Sequence, residues 1–172
     1  LLNLCSNLLD FSKYKKGETD LIINECDIIQ LIKEMIHEYD HIQNSISIKY
    51  SLELGKTLYC DEGRILQVLR NLIDNSIKYG KDTSIIIEAV NYGENNIKIS
   101  VSDSGPGIPE EELTKIFEPF EQSSRTKTKA GGTGLGLSIC KQIIEMHGGS
   151  IWAKNNTSGG ATLYFIIPNE QN

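Results

Sequence analysis

The sequence predicts an α+β fold, a two-layer sandwich of sheet and helices, and three observations carry the prediction. Helical and strand-like segments are mixed along the 172 residues without strict β-α-β alternation, which disfavours a doubly wound parallel sheet. Residues 84–91 and 96–103 alternate and are β-branched, and the turn Tyr92-Gly-Glu-Asn-Asn between them predicts an antiparallel hairpin. Two long stretches, 61–79 and 133–147, carry apolar residues at helical spacing instead. A chain of this length buries roughly 70% of the surface its unfolded form exposes, enough for one well-made core.

Taken in order, Leu1, Leu4, Leu8 and Phe11 recur at helical spacing, with Leu2, Cys5 and Leu9 beside them. Lys15-Lys16-Gly17 closes that helix, because basic residues and glycine suit a helix C-terminus. Seven apolar positions in so short a helix exceed one buried stripe, which fits a partner helix against it or, equally from this stretch alone, an ordinary docking helix. A short strand (21–25) leads to a helix over 27–42, and strands follow at 45–52 and 57–60. Asp61 caps the helix running to Tyr79, whose Ile65, Val68, Leu69, Leu72, Ser76 and Ile77 face the core. Pro109 followed by Glu110, Glu111 and Glu112 opens a short helix, since Pro fits the first position and acid suits the positive end. Residues 122–131 are polar and aperiodic, a loop long enough to be functional. A helix over 133–147 and strands at 149–154 and 161–168 complete the chain.

Seventeen basic against 23 acidic residues give a net charge of −6, which leaves no electrostatic footprint for nucleic acid. Cys5, Cys26, Cys60 and Cys140 lie far apart with no C-x-x-C spacing, so reduced thiols are expected rather than a zinc cage or redox pair. No apolar run approaches the ~20 residues that span a bilayer. Leu1, not Met, opens the chain inside a helical pattern, so the sequence reads as a piece of a longer protein.

Four short motifs occur in one order: Asn71-Leu-Ile-Asp-Asn75-Ser-Ile-Lys78-Tyr79, Asp103-Ser-Gly105-Pro-Gly107-Ile108, Gly132-Thr-Gly134-Leu-Gly136 and Gly159-Gly-Ala-Thr162. Asn71, Asn75 and Lys78 fall within a ~60° arc of one helix face, apart from most of the apolar stripe. Amide carbonyl oxygens are hard neutral ligands suited to Mg²⁺, and an ammonium one turn along can meet a phosphate. Asp103 ends a strand, where an acceptor-only carboxylate can take a proton from an exocyclic amine such as adenine N6. Gly132, Gly134 and Gly136 lead into a helix whose first amides, unobstructed by side chains, form a nest for polyphosphate. Their spacing matches neither the dinucleotide G-x-G-x-x-G nor the P-loop pattern. Each motif alone has a bland alternative: a solvated helix face, a turn, a flexible joint. The set in order describes an ATP pocket.

One competing pattern is His37-Glu38-Tyr39-Asp40-His41, which satisfies H-E-x-x-H on a predicted helix. No convincing third ligand follows, so a solvated helix face is expected. His147, ahead of Gly148, reads as a helix C-terminal residue favourable to the dipole.

Together the motifs resemble the N, G1, G2 and G3 boxes of sensor histidine kinases, within the wider GHKL (HATPase_c) ATPase superfamily. Phe117-Glu-Pro-Phe120 resembles their F box, and the polar loop after it their ATP lid. The resemblance covers about 20–168, nearly the whole chain. Residues 1–17, with Leu8-Leu-Asp-Phe-Ser12, resemble the end of a second dimerisation helix, which leaves 18–172 as the catalytic ATP-binding domain. The family implies a Bergerat-type two-layer α/β sandwich, with a mixed, mostly antiparallel sheet backed by helices and an ATP lid. It implies ATP and Mg²⁺, with Asn75 as the metal ligand, Asn71 a supporting polar contact and Lys78 a phosphate contact. Tyr79 flanks the nucleotide, Asp103 reads adenine N6 beside Gly105, Gly107 and Ile108, and Thr162 supports Asp103. Gly132, Thr133, Gly134, Leu135 and Gly136 hold the phosphates, and Arg125 in the lid reaches the γ-phosphate or the incoming histidine.

Gyrase- and HSP90-like members carry Glu where this chain has Asn71. Water needs a base, whereas neutral imidazole already presents a lone pair, so Asn71 fits transfer to histidine, with positioning and Mg²⁺ supplying the catalysis. The resemblance therefore implies a histidine kinase domain of a two-component system, with a water-hydrolysing ATPase or a non-catalytic nucleotide sensor as alternatives. The implied partners are a dimerisation and histidine-phosphotransfer domain of the same protein, a response regulator and, for the parent, a second copy. The implied location is cytoplasmic, with an inner-membrane anchor in the parent left open. His37, His41 and His147 are the only histidines, and none has the expected phosphoacceptor setting.

Overall fold

The computed structural model describes residues 20–42, 47–53, 57–80, 84–125 and 132–169. The predicted N-terminal helix and the boundary at residue 17 lie outside the described residues. The elements are β1 (Asn24–Cys26), α1 (Ile28–Ile42), β2 (Ser47–Glu53), β3 (Leu58–Cys60), α2 (Glu62–Tyr79), β4 (Ser84–Tyr92) and β5 (Asn96–Ser102). Two 3-10 turns (Glu110–Glu112 and Lys115–Phe117), α3 (Gly136–Met146), β6 (Ser150–Asn155) and β7 (Ala161–Pro168) follow. Five strands form one sheet in the order β2-β4-β5-β7-β6, and β1 pairs with β3 as a separate two-stranded ribbon. Within the sheet β2 runs parallel to β4, while the β4–β5, β5–β7 and β6–β7 pairs are antiparallel. The predicted α+β sandwich is the fold that forms.

Period-two alternation decides which sheet face is covered. Ile85, Ile87 and Ala89 of β4, Ile97, Ile99 and Val101 of β5, and Leu163, Phe165 and Ile167 of β7 are all buried in one core cluster. Ile65, Val68, Leu69, Leu72 and Ile73 of α2 and Ile139, Cys140, Ile143 and Ile144 of α3 enter the same cluster from the helix layer. The predicted α2 stripe is buried as expected, except that Ile77 is only partly covered. Cys26, Cys60 and Cys140 are free and buried. Burial pushes the Cys140 thiol up to about 12 and raises that of Cys60 as well, so both stay protonated and unreactive at neutral pH.

Beyond shifts of one or two residues, three elements differ from the sequence expectation. The first strand starts at Asn24 rather than residue 21, because the Ile22 N–H donates to the Asp61 carboxylate (3.0 Å) and not to a neighbouring strand. The short helix after Pro109 forms as two three-residue 3-10 turns rather than as an α-helix. Glu118, ahead of Pro119, is forced extended (ψ 148°) and ends the second turn. The last helix starts at Gly136, because Gly134 has φ +69° and cannot lie in a right-handed helix.

His147 corrects a different expectation. Its Nδ1 bonds the Ile143 carbonyl (2.7 Å) and its Nε2 accepts the Asp61 N–H (3.1 Å), so the ring ties the end of α3 to the start of α2. An accepting Nε2 requires the neutral ring. Burial also lowers its pKa, and outweighs the Ile143 hydrogen bond and the Asp61 charge, which act the other way. A positive charge on the helix dipole is thus not its role.

Candidate functional site

A cavity of about 290 Å³ opens between α2, the loop after β5, the two shoulders of the 121–133 loop and the start of α3. That is near the lower end of small-molecule sites, which run from about 300 Å³ upward. From α2, the side chains of Asn71, Asn75, Lys78 and Tyr79 line one wall. They reach it because residues three and four apart share a helix face while Leu72, Ile73 and Ser76 turn into the core. Asp61 caps that helix rigidly, its Oδ1 accepting the Arg64 N–H at 3.1 Å.

Gly132, Thr133, Gly134 and Gly136 line the same end. A Cβ on Gly132 would stand 2.8 Å from Lys78 Nζ, and one on Gly136 would stand 3.5 Å from Asn71 Oδ1. The backbone at both glycines thus runs close along the polar wall of α2, and at Gly132 only the flexible Lys78 ammonium would have to yield to a side chain. Gly134 is held from the other side: its carbonyl accepts the Phe120 N–H (2.9 Å), and an added Cβ would press into the Phe120 backbone at 2.6 Å. Phe120 itself sits at φ +66°, with its ring exposed. Gln122 adds a second tie, donating to the Gly132 carbonyl at 2.6 Å. The two ends of the loop are thus pinned together at the cavity mouth, with ammonium, amides and backbone N–H groups converging beside them.

The opposite end carries a carboxylate. Asp103 Oδ1 accepts the N–H groups of Gly105 (2.8 Å) and Ala161 (3.3 Å), and the described residues offer Oδ2 no hydrogen bond. Burial pushes this carboxyl above the ordinary aspartate range, and the two N–H donors pull it partly back. Pro106, Gly107 and Ile108 line the wall beside it. Gly105 does not line the cavity. It is buried beneath Asp103, where a Cβ would meet the Tyr79 carbonyl at 2.6 Å, so its task is to let the loop pass the end of α2. The site is bipolar, with anion-binding groups at one end and an oriented acceptor at the other.

Three further predicted residues do not line the cavity. Leu135 is fully buried in the core at the foot of α3. Thr162 lies between Ala161 and Leu163, which do line it. Strand alternation turns the threonine to the other sheet face, where it bonds Ser102 Oγ (2.7 Å) and Asn156 Oδ1 (2.6 Å). Arg125 donates to the Pro106 carbonyl (2.7 Å), which places it at the carboxylate side of the mouth rather than beside Asn71 and Asn75.

Sequence reasoning missed the apolar floor made by Ile116, Leu137, Ala161 and Leu163, and the rim residues Glu121, Gln122 and Ser123. The floor was detectable in β7, whose alternation runs through both Ala161 and Leu163. The rim follows from loop closure and has no local signal. The H-E-x-x-H stretch serves packing: Glu38 pairs with Arg70 (2.6 Å) and Tyr39 donates to Asp74 (2.7 Å), docking α1 on α2. His41 lies outside the described side chains, and no cluster of three metal-ligating groups occurs among the described residues.

Residues 60–171 match the family described as histidine kinase-, DNA gyrase B- and HSP90-like ATPase. The alginate biosynthesis sensor protein KinB of Pseudomonas aeruginosa is 34% identical over 172 residues, covering 98% of this chain and 28% of KinB. The sensor histidine kinase WalK of Bacillus subtilis is 30% identical over 174 residues, again covering 98% of this chain and 28% of the relative. The chain therefore spans little more than a quarter of the length of either. Among solved structures, the catalytic domain of the histidine kinase ThkA superposes with a TM-score of 0.69 at 37% identity, covering 86% of this chain and 95% of that one. Full-length ShkA in complex with AMPPNP superposes with a TM-score of 0.85 at 26% identity, covering 99% of this chain and 36% of ShkA. ThkA in complex with the response regulator TrrA matches with a TM-score of 0.74 at 31% identity, covering 98% of this chain and 49% of that one.

Proposed function

The chain belongs to the histidine kinase-, DNA gyrase B- and HSP90-like ATPase family, and from that membership we propose that its cavity binds ATP with Mg²⁺ and presents the γ-phosphoryl group to a histidine on a separate domain. The observation that carries this reading is the bipolar cavity: Asp103 at one end, with Asn71, Asn75, Lys78 and the glycine-lined start of α3 at the other. The adenine N6 amine donates to Asp103 Oδ2 while Ile108 and Gly107 flank the ring. The triphosphate extends toward Lys78 and the amides of Gly132, Gly134 and Gly136.

The donor set suits magnesium. Asn75, supported by Asn71, offers neutral hard oxygens, few in number, which leaves coordination positions for phosphate oxygens and water. The ion, once bound, offsets negative charge on the phosphates. What the chain itself does is hold the nucleotide in line, exclude water from the γ-phosphorus, and leave that phosphorus open to an incoming ring nitrogen. A P–N bond to imidazole then forms as the bond from phosphorus to the β,γ-bridging oxygen breaks. ADP leaves and the imidazole proton passes to solvent.

Kinase over ATPase is favoured by Asn71, because an amide on that wall cannot deprotonate a water. The relatives named as sensor kinases point the same way. The acceptor domain, a response regulator and a second copy of the parent are proposed as partners. His147 spends both ring nitrogens on the fold, so it is not a free acceptor.

The experiment is calorimetric titration of MgATP, followed by incubation with labelled ATP, with and without a supplied histidine-bearing dimerisation domain. Asn75→Ala should weaken ATP binding in Mg²⁺ and leave the weak metal-free binding nearly unchanged. Label should appear on the supplied domain alone. Self-labelling of this chain, or phosphate release matching consumption without acceptor, would refute the reading.

A further inference from the structure

Two adjacent asparagines that the nucleotide reading leaves without a role hold both ends of the loop that carries Asp103. Asn155, the last residue of β6, faces the cavity side of the sheet. Its Oδ1 accepts the Ile108 N–H (2.8 Å), and its Nδ2 donates to the Ile108 carbonyl (2.7 Å) and to Glu110 Oε1 (3.0 Å). One amide thus grips both backbone groups of a single cavity-lining residue. It also sits under Gly107, where an added Cβ would stand 2.8 Å from Asn155 Oδ1 at a backbone φ of +71°. Asn156 faces the other way. Its Nδ2 donates to the Asp103 carbonyl (3.1 Å), and its Oδ1 takes the Thr162 hydroxyl proton (2.6 Å). The backbone of Asn156 closes the β6–β7 turn onto the Gly160 carbonyl (3.0 Å), while Asp103 N–H donates to Ala161 (2.9 Å).

We infer that Asn155 and Asn156 form a clip that positions the 103–108 loop and thereby sets the nucleotide specificity of the cavity, Asn155 being the specificity-determining member. The inference rests on the ATP reading above. Between Asp103 and Ile108 the chain has no strand or helix of its own, so its geometry must be imposed from outside. The Asn156 tie and the β7 backbone fix the Asp103 end. Among the described residues the Ile108 end has no comparable backbone ladder; the Asn155 amide makes two hydrogen bonds to Ile108, and Arg125 adds one to the Pro106 carbonyl. Loss of that grip lets Gly107 and Ile108 drift from the plane that a base must share with Asp103 Oδ2. The triphosphate end, built on α2 and the start of α3, does not depend on it.

The test separates the two ends of the ligand. For wild type, Asn155→Ala and Asn155→Asp, affinities are measured for ATP, GTP and inorganic tripolyphosphate, with amide hydrogen exchange read at Ile108. Asn155→Ala should weaken ATP roughly tenfold, the equivalent of about 1.4 kcal/mol of lost positioning. It should cut the ATP-over-GTP ratio, leave tripolyphosphate within about twofold, and speed exchange at Ile108. Asn155→Asp keeps the acceptor for the Ile108 N–H but loses both donors and sets a carboxylate against Glu110. Its Ile108 amide should stay protected, its ATP affinity should fall to an intermediate value, and Glu110→Gln should restore part of it.

A merely structural role would lower the melting temperature and move all three ligands together, and that result would overturn the inference. So would an unchanged ATP-over-GTP ratio in both variants. Should Asn155→Ala fail to fold, the pair Asn155→Asp and Asn155→Asp with Glu110→Gln decides by the same ratio. Failure of the wild-type chain to bind ATP at all would overturn the ATP reading and this inference with it. A wild-type preference for ATP that Asn155 variants leave intact would overturn the clip alone.

Discussion

Asp103→Asn changes one atom at the site and leaves the rest of the fold nearly indifferent. Asp103 Oδ1 accepts two backbone N–H groups, from Gly105 and Ala161, and an amide oxygen can stay there with both bonds intact. The amide nitrogen then takes the place of Oδ2, turning an acceptor into a donor. For adenine this removes a charge-assisted hydrogen bond worth about 2 kcal/mol and leaves two donors facing each other, at a further 1–2 kcal/mol or so. The sum, about 3–4 kcal/mol, corresponds to a loss of roughly 10²–10³-fold in ATP affinity. Guanine, whose oxygen stands where adenine has its amine, should gain, so the ATP-over-GTP ratio should collapse by more than the ATP affinity itself.

Stability should move the other way. Burial raises the folded pKa of Asp103 above its ordinary value of 3.8, so the ionised carboxylate opposes folding at neutral pH. Its contribution favours the fold below the unfolded pKa and is lost as pH rises through the folded pKa. The amide removes that penalty, and the variant should melt at or above the wild-type temperature at pH 7 while binding ATP roughly 10²–10³-fold more weakly. Calorimetry with both nucleotides, paired with thermal melts, checks this. ATP affinity within about fivefold of wild type would show that Asp103 does not read the base, and a melting temperature several degrees lower would show that the buried carboxylate does not oppose folding.

Two further outcomes concern the frame around the site. Gly159 and Gly160 both have positive φ (96° and 84°), but a Cβ on Gly159 meets nothing within 4 Å, whereas one on Gly160 would overlap the Asp103 carbonyl. Gly159→Ala should therefore cost only the left-handed strain of about 1–2 kcal/mol. Gly160→Ala should cost several kcal/mol more and displace Asp103, so urea midpoints that coincide for the two variants would contradict the contact. His147, neutral in the fold with its pKa lowered from 6.5 by burial, gives a pH signature. The unfolded chain takes up its proton first, so stability is full above pH 6.5 and declines as pH falls toward the folded pKa. His147→Gln should flatten this decline in melts between pH 7.5 and 5, at the expense of about 1–2 kcal/mol at pH 7.5 from disturbed bonds to Asp61 and Ile143.

What the sequence made legible was what depends on local period. The α2 face follows from residue spacing alone: Asn71, Asn75 and Lys78 had to share one side once Ile65, Val68, Leu69 and Leu72 were assigned to the core. The hairpin of β4 and β5 follows from alternation and a turn of glycine and asparagine. The short helix expected after Pro109 forms only as a 3-10 turn over Glu110–Glu112, because its two signals, a proline and three acids, mark a helix start without supplying the apolar period that would extend it. Glu118, held extended ahead of Pro119, then ends the second turn. Arg125 could not be placed because its partner, the Pro106 carbonyl, lies 19 residues away and is brought near only by loop closure.

Thr162, expected to support Asp103, shows how much strand phase alone decides. Ala161, Leu163, Phe165 and Ile167 are apolar at every second position and all four are buried. A strand with that phase must send Thr162 to the opposite face, away from a ligand lying on the helix side. The family resemblance set it among the nucleotide-binding residues as a support for Asp103, and its parity keeps it off the ligand itself. Parity won, because reversing it would expose Phe165 and Ile167 and turn a hydroxyl into the core, a penalty several times larger than any one polar contact to a ligand. Thr162 still acts on Asp103, but through Asn156, whose amide accepts the hydroxyl and donates to the Asp103 backbone carbonyl. Asn155, of opposite parity, falls on the cavity side and grips Ile108 directly. In a strand that borders a site, the face of each residue therefore has to be assigned before its role, and adjacent residues with the same side chain can serve opposite sides of the same loop.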